Sequence, residues 1–276
     1  LLLANGADVT AAGCRNNIIE GKHNYRYQQV DLTKFDTLKP LSQTAYHYIF
    51  NVSGYIDHSD FFSGGRAVIN NHYQGLMNLL EVIDRSELKR FVQIGSSDEY
   101  GNRPSPQAES LREDPISPYS SAKVSATHLI QMLAKTENFP GSVLRLFLVY
   151  GPRQDTKRFL PQIISGCLNN DEFPASEGKQ IRDFCYVDDV VDAMLLAAVE
   201  PAAHGEVFNI ASGQPVTIKE VVQGVNSLVG MGSPQFGKIS YRQGENMSLY
   251  ADINKAKSLL GWKPKVSLSD GLRNTI

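Results

Sequence analysis

Short apolar runs with little polar alternation recur along the first half of the chain, and helical stretches stand between them. Val9–Ala12, Tyr25–Val30, Tyr46–Val52, Phe91–Ile94 and Val143–Val149 read as strands. Strands of this kind are buried on both faces, as in a parallel sheet covered by helices. Ala67–Arg85 and Ser117–Glu137 read as helices, and strand–helix alternation predicts an α/β fold with a doubly wound parallel sheet. Ser117 can cap the second helix, Pro118 suits its first position, and Asn138-Phe139-Pro140-Gly141 ends it.

Beyond Gly151 the pattern loosens. A helix is expected near Leu160–Leu168, a strand near Arg182–Val187, a helix over Asp188–Val199 and a strand over Glu206–Ile210. Thr217–Val229, Ile239–Tyr241 and Asn254–Leu260 follow. We expect residues 1–151 and about 188–212 to form a dinucleotide-binding domain. Residues 152–187 and 213–276 would then form a smaller substrate-binding lobe. A dinucleotide-binding unit opens with a strand, a glycine-rich turn and a helix. No such turn precedes Val9, and Leu1–Gly6 reads as a helix end with Gly6 as its C-cap. The expectation is therefore that the first strand and glycine loop lie before residue 1, and that the chain ends inside a helix at Gly271–Ile276.

A net charge of -2 gives no electrostatic reason for nucleic-acid or membrane-surface binding. Three widely spaced cysteines without a C-x-x-C argue against a disulfide framework or a zinc site and fit a reducing, cytoplasmic compartment. The six histidines show no metal-ligand spacing and read as structural or surface residues, so no metal is expected.

The chemistry-bearing pattern is Tyr119-Ser-Ser-Ala-Lys123. Positions i and i+4 share a helix face, and an ammonium beside a phenol favours the phenolate. The spacing thus predicts a Tyr119 pKa below its ordinary value of about 10 and a proton-transfer role near neutral pH. Upstream, strand Phe91–Ile94 runs into Gly95-Ser96-Ser97-Asp98-Glu99-Tyr100-Gly101. A polar cluster at the C-terminal end of a parallel strand is where such sheets bind ligands.

In this order, the motifs resemble those of the extended short-chain dehydrogenase/reductases, the nucleotide-sugar epimerase, dehydratase and reductase group. The Ser-x-x-x-Tyr-Gly turn and the Y-x-x-x-K helix carry the likeness. So do Arg145-x-x-x-x-Tyr150-Gly151-Pro152, Arg182-Asp183-Phe184-Cys185-Tyr186-Val187-Asp188-Asp189-Val190, Phe208-Asn209-Ile210-Ala211-Ser212-Gly213 and Leu260-Gly261-Trp262-Lys263-Pro264. The resemblance spans nearly the whole chain and implies a Rossmann-like fold. It also implies that Ser96 hydrogen-bonds the reacting sugar oxygen, that Tyr119 is the general acid/base, and that Lys123 holds the nicotinamide ribose. Hydride would move at a sugar carbon, C4 first among them.

Gly13 stands where NAD-preferring relatives place an acid, and Arg15 could pair with a 2′-phosphate, which favours NADP(H) over NAD. Asp31-Leu32 resembles the pair beside the adenine. Val52-Ser53 would pass the pyrophosphate, although the Asn51–Gly54 stretch departs from the small residues usual there. Arg153, Arg158, Arg182 and Arg242, with Glu245 and the site serines Ser96 and Ser97, are the substrate candidates. Asp188 and Asp189 read as caps of the next helix. Ser97-Asp98 occupy the places of a dehydratase acid and base, with Asp98 one methylene short of glutamate. The order of readings is an NADPH-dependent NDP-4-keto-6-deoxyhexose reductase, then an NAD-retaining 4-epimerase, then a 4,6-dehydratase. A non-catalytic NADP-binding regulator is opposed by the intact Ser96, Tyr119 and Lys123. Apolar stripes at Leu76, Leu79, Leu80 and Ile83, and at Leu129, Ile130 and Leu133, suggest a homodimer through a four-helix bundle.

Overall fold

The computed structural model describes residues 1–15, 25–241 and 244–276. In chain order the elements begin with strands β1 (Thr10–Gly13), β2 (Arg26–Gln29) and β3 (Tyr48–Asn51). Helices α1 (Gly65–Ile69) and α2 (Gly75–Val82) follow, joined by a π-helical turn at Asn70–Gln74. Then come β4 (Arg90–Ser96), α3 (Pro118–Glu137), β5 (Gly141–Leu146), β6 (Leu148–Tyr150), α4 (Phe159–Leu168) and β7 (Glu172–Pro174). The remainder is β8 (Ile181–Tyr186), α5 (Val187–Val199), β9 (Val207–Ile210), β10 (Pro215–Thr217), α6 (Ile218–Val229), β11 (Ser233–Gln235), β12 (Ser248–Leu249), α7 (Asn254–Leu260) and α8 (Leu268–Thr275).

The main sheet runs β3-β4-β5-β9, all parallel, and β1 and β2 form a separate parallel pair. Its strands send alternate residues to opposite faces, as the two-residue period of a strand requires. Phe91, Val143 and Val207 enter a cluster with Leu38, Leu76, Leu79, Ile83 and Ile130. Their neighbours Val92, Leu144 and Phe208 enter another with Ala193, Ala197, Leu260 and Trp262. That two-sided burial is the reason the strands lack polar alternation. A third cluster forms around Tyr150, Leu160, Ile164, Phe184, Val221, Val225 and Leu272.

Several expectations change. The run Val143–Val149 is two strands, because the chain leaves the main sheet at Phe147 and β6 pairs with β8. Ile239–Tyr241 is irregular. The apolar stripes on α2 and α3 pack on their own sheet: Leu76, Leu79, Ile83 and Ile130 are buried there, with Leu80, Leu129 and Leu133 against them. They are therefore not a free surface for a second subunit. Ser117 caps α3, accepting from the Ser120 N–H at 3.1 Å. Gly6 ends a 3-10 turn with φ 79°. Asp189 does not cap α5; its carboxylate accepts from the Lys265 and Val266 N–H groups, at 2.9 and 3.1 Å. Trp262 Nε1 donates to the Asp189 carbonyl at 2.9 Å, which fastens the C-terminal segment to α5.

Cys14, Cys167 and Cys185 are free thiols. Among the described residues no helix is long and apolar enough to cross a membrane. No group of three or more His, Cys, Asp or Glu side chains among them could hold a metal ion.

Candidate active site

Strand β4 ends at Ser96 and turns at once into a 3-10 turn, Ser97–Tyr100. The Ser96 hydroxyl accepts from the Asp98 N–H at 3.2 Å, which fixes the side chain at the strand's C-terminal tip. Opposite it, the first turns of α3 carry Tyr119 and Lys123, both buried. The Ser96 hydroxyl lies near enough to the Tyr119 phenol to favour its ionisation. Lys123 Nζ donates to the Ile94 carbonyl at 2.9 Å and lies 5.8 Å from the Tyr119 ring centroid. The structure thus brings Ser96, Tyr119 and Lys123 together at the end of β4.

The electrostatics differ from the expectation. Burial pushes the Tyr119 phenol up to about 12; the Ser96 hydroxyl opposes the shift, and the Asp98 and Glu99 charges add to it. Lys123 shares the helix face with Tyr119, but its ammonium is tethered to strand β4 rather than to the phenol oxygen. Burial also lowers the Lys123 ammonium to about 8, against the charges of Glu99 and Asp98. Desolvation therefore raises the phenol's pKa where the helical spacing alone predicts a fall.

Two histidines frame the tyrosine. His72, in the π-helical turn, is buried and stands edge-on to the Tyr119 ring. Its Nε2 donates to the Tyr55 carbonyl at 2.9 Å, and burial with the nearby Lys123 charge lowers it to about 4. The imidazole is thus neutral, with Nδ1 an acceptor. It lies so close to Gly54 that a Cβ there would fall 2.4 Å from its Cε1. His58 lies 5.7 Å from the Tyr119 ring, and its Nε2 is 3.6 Å from Asp98 Oδ2. Burial raises the Asp98 carboxyl, opposed by His58, Arg158, Arg182 and Lys123.

The remaining sequence candidates divide. Arg158 and Arg182 face the site, since both charges act on Asp98. Arg182 is also paired with Glu245, which balances part of its charge. Arg153 lines a different hollow with Gly151, Pro161, Ile164 and Thr275. Ser97 is buried. Arg242 lies outside the described residues.

On the cofactor side, Gly13 closes β1 and Arg15 is exposed just beyond it. The Tyr27 hydroxyl donates to the Gly13 and Arg15 carbonyls. Asp31 accepts from the Thr33 N–H and hydroxyl, at 3.0 and 2.7 Å, so its carboxylate first shapes its own turn, and those bonds hold its pKa down. Leu32 packs on Gly75 and accepts from Asn78 Nδ2 at 2.7 Å. Val52 is exposed. A relay runs inward from the exposed Ser53 hydroxyl to Asn51 Oδ1 (2.6 Å), from Asn51 Nδ2 to Gln93 Oε1 (2.8 Å), and from Gln93 Nε2 to the Ile94 carbonyl that also holds Lys123 (3.0 Å). The C-terminal ends of β3 and β4 offer Val52–Ser53 and Ser96, and that of β1, in its separate pair, offers Gly13–Arg15; strand ends of this kind are where parallel sheets bind dinucleotides, and these residues fit that group.

Sequence reasoning missed His72, His58, Asn51, Gln93 and the Glu99–Arg145 pair. The departure from pattern at Asn51–Gly54 was the one available signal, because Gly54 yields to the His72 ring.

The structure thus gathers a serine, a tyrosine and a lysine at the tip of a central parallel strand. The profile of the NAD dependent epimerase/dehydratase family matches residues 1–211, and the chain belongs to that family. It is an NAD(P)-dependent enzyme of the nucleotide-sugar class. A UDP-glucuronate 4-epimerase from Thermodesulfobacterium geofontis is 30% identical over 290 residues, covering 99% of this chain and 85% of the relative. The crystal structure of a UDP-glucose 4-epimerase from Thermotoga maritima with UDP-glucose superposes with a TM-score of 0.89 at 27% identity, covering 99% and 91% of the two chains. MoeE5 in complex with UDP-glucuronic acid and NAD gives 0.85 at 28%, with the same coverage.

Proposed function

We propose that this protein is an NDP-sugar 4-epimerase acting on a UDP-hexose or UDP-hexuronate. The observation that carries the reading is the Ser96–Tyr119 hydroxyl pair, buried beside Lys123 at the end of β4. One proton donor and acceptor at one carbon is what inversion through a ketone requires. Tyr119, acting in its phenolate form, would take the proton of the C4 hydroxyl and later return it to the same oxygen, while Ser96 holds that oxygen. Lys123 keeps a positive charge beneath the phenol. A bound nicotinamide cofactor would supply the hydride acceptor and donor. The similarity to a UDP-glucuronate 4-epimerase along nearly the whole chain supports the reading.

Dehydration is disfavoured by the carboxylates. Glu99 is fully buried and bonded to Arg145, so Asp98 alone faces the serine and tyrosine. Reduction of an NDP-4-keto-6-deoxyhexose with NADPH is the second reading. The exposed Arg15 after β1 favours it, as does a phenol that holds its proton. A homodimer remains part of the proposal, through a surface other than the α2 and α3 stripes.

The test is to incubate the full-length protein with UDP-glucose or UDP-glucuronate and NAD, and to resolve the C4 epimers by NMR. Formation of the galacto epimer is expected. NADPH oxidation with an NDP-4-keto-6-deoxyhexose, without epimer formation, would replace this reading by the reductase.

A further inference from the structure

Glu99 is a carboxylate with no solvent exposure, inserted directly after the serine turn begins. Oε1 accepts from the Ser96 N–H at 2.9 Å. Oε2 accepts from Thr127 Oγ1 and from Arg145 Nε, both at 2.8 Å. These partners belong to three different elements: the end of β4, the helix α3 and the neighbouring strand β5. Thr127 follows Lys123 by one helical turn and Tyr119 by two, on the same face. Arg145 sits beside Gly95 in the sheet register. A Cβ on Gly95 would lie 2.6 Å from Glu99 Oε1, so the glycine opens the space that the carboxylate fills. Arg145 continues to Glu113 at 2.6 Å and stacks 4.7 Å from the Tyr100 ring centroid.

Burying a charge pair is a poor way to gain stability, since well-packed apolar side chains do as well or better. A buried carboxylate that grips both the serine's backbone and the helix of the tyrosine and lysine therefore calls for a role in the site. We propose that Glu99 is a positioning residue. It sets Ser96 against α3 at a fixed distance, and its fixed negative charge keeps the buried Lys123 ammonium charged. The proposal rests on the reading that Ser96, Tyr119 and Lys123 perform the chemistry.

The groups facing Lys123 are the Tyr119 ring, the Ile94 carbonyl, His72, Asp98 and Glu99. Of the two carboxylates, Asp98 is pulled toward its neutral form by burial, whereas Glu99 is locked to Arg145. The Glu99 charge also supports the ammonium more strongly than that of Asp98.

The experiment is an NMR titration of the full-length protein labelled at lysine Cε, with the Lys123 signal assigned by its loss in Lys123→Arg. In Glu99→Gln the Lys123 midpoint should fall by roughly one unit, as expected on removal of a close opposite charge, and the alkaline limb of kcat/KM should follow it. Glu113→Gln, which removes a charge from Arg145 and His128 rather than from a group facing Lys123, should leave the midpoint where it is. An unmoved Lys123 titration in folded Glu99→Gln overturns the electrostatic role. If Glu99→Gln does not fold, Glu99→Asp keeps the charge but withdraws the grip on Ser96. It should then lower kcat roughly tenfold with little change in KM, as misplacement of a reacting group does. Wild-type kcat in Glu99→Asp overturns the positioning role. Because the titration needs no turnover, an inactive wild-type protein would refute the functional reading while leaving the Glu99 result intact.

Discussion

The His72 imidazole meets the Tyr119 ring edge to face, with centroids 5.1 Å apart and planes at 82°. Its other end is tied to the Tyr55 carbonyl, so one side chain joins the segment after β3 to the tyrosine. His72→Ala removes both contacts. We expect kcat to fall roughly tenfold, the rate equivalent of losing a ring contact worth about 1.4 kcal/mol. Steady-state kinetics would check this, and an unchanged kcat would make His72 a packing residue only.

The same histidine should govern stability in mild acid. Its pKa is lowered in the folded state to about 4 from 6.5, so the unfolded chain binds the proton more readily. The stability it contributes is complete above pH 6.5 and is lost as pH falls toward 4, by up to about 3 kcal/mol. Urea unfolding across that window should show the loss in the native protein and a flatter profile in His72→Asn.

Tyr119→Phe removes the proton that the buried phenol holds. Turnover should drop by roughly 10²- to 10⁴-fold. The fold and dinucleotide binding should persist, because the ring contacts with His58 and His72 remain. Calorimetric titration with NAD beside a turnover assay separates the two properties.

Lys123 should set the alkaline limit of activity. Its ammonium is depressed to about 8, so kcat/KM of the free enzyme should decline above about that pH. The folded pKa lies below the unfolded one, so burying the charge costs stability below pH 8, and that cost is relieved as pH rises toward 10.5. Lys123→Met should therefore be inactive yet melt no lower than the wild type at pH 7, which differential scanning calorimetry would show.

Asn209 is buried where four segments meet. It accepts from the Tyr100 hydroxyl at 2.8 Å, donates through Nδ2 to the Gln107 and Asp252 carbonyls, and donates its N–H to Glu109 at 2.7 Å. Asn209→Ala leaves several buried groups unpaired. Chemical denaturation should show a loss of roughly 3 kcal/mol or more.

Much of the scaffold was legible because its determinants are local or periodic. The continuous apolar runs located β3, β4, β5 and β9, and the Ser117-Pro118 punctuation located α3. Tyr119 and Lys123 were found because helical spacing places them on one face. What lay beyond reach was three-dimensional. No local pattern shows that the run Val143–Val149 divides between two sheets, or that Lys123 reaches a strand carbonyl instead of the phenol. The sign of the Tyr119 shift could not be foreseen, because burial of the phenol depends on His58 and His72, which approach from a loop and a π-helical turn. The α2 and α3 stripes were ambiguous for the same reason: an amphipathic face does not declare whether a sheet or another subunit covers it.

The clasp between Trp262 and Asp189 bears on how the molecule is made. The cluster that covers one face of the main sheet is closed by Leu260 and Trp262, which leave the ribosome long after Val92, Leu144 and Phe208. A nascent chain that has emerged only as far as β9 has α5 on that face but not Leu260 and Trp262. A segment made later than the sheet thus completes the cover of the central core, and interrupted synthesis before it should leave exposed apolar surface that chaperones must shelter.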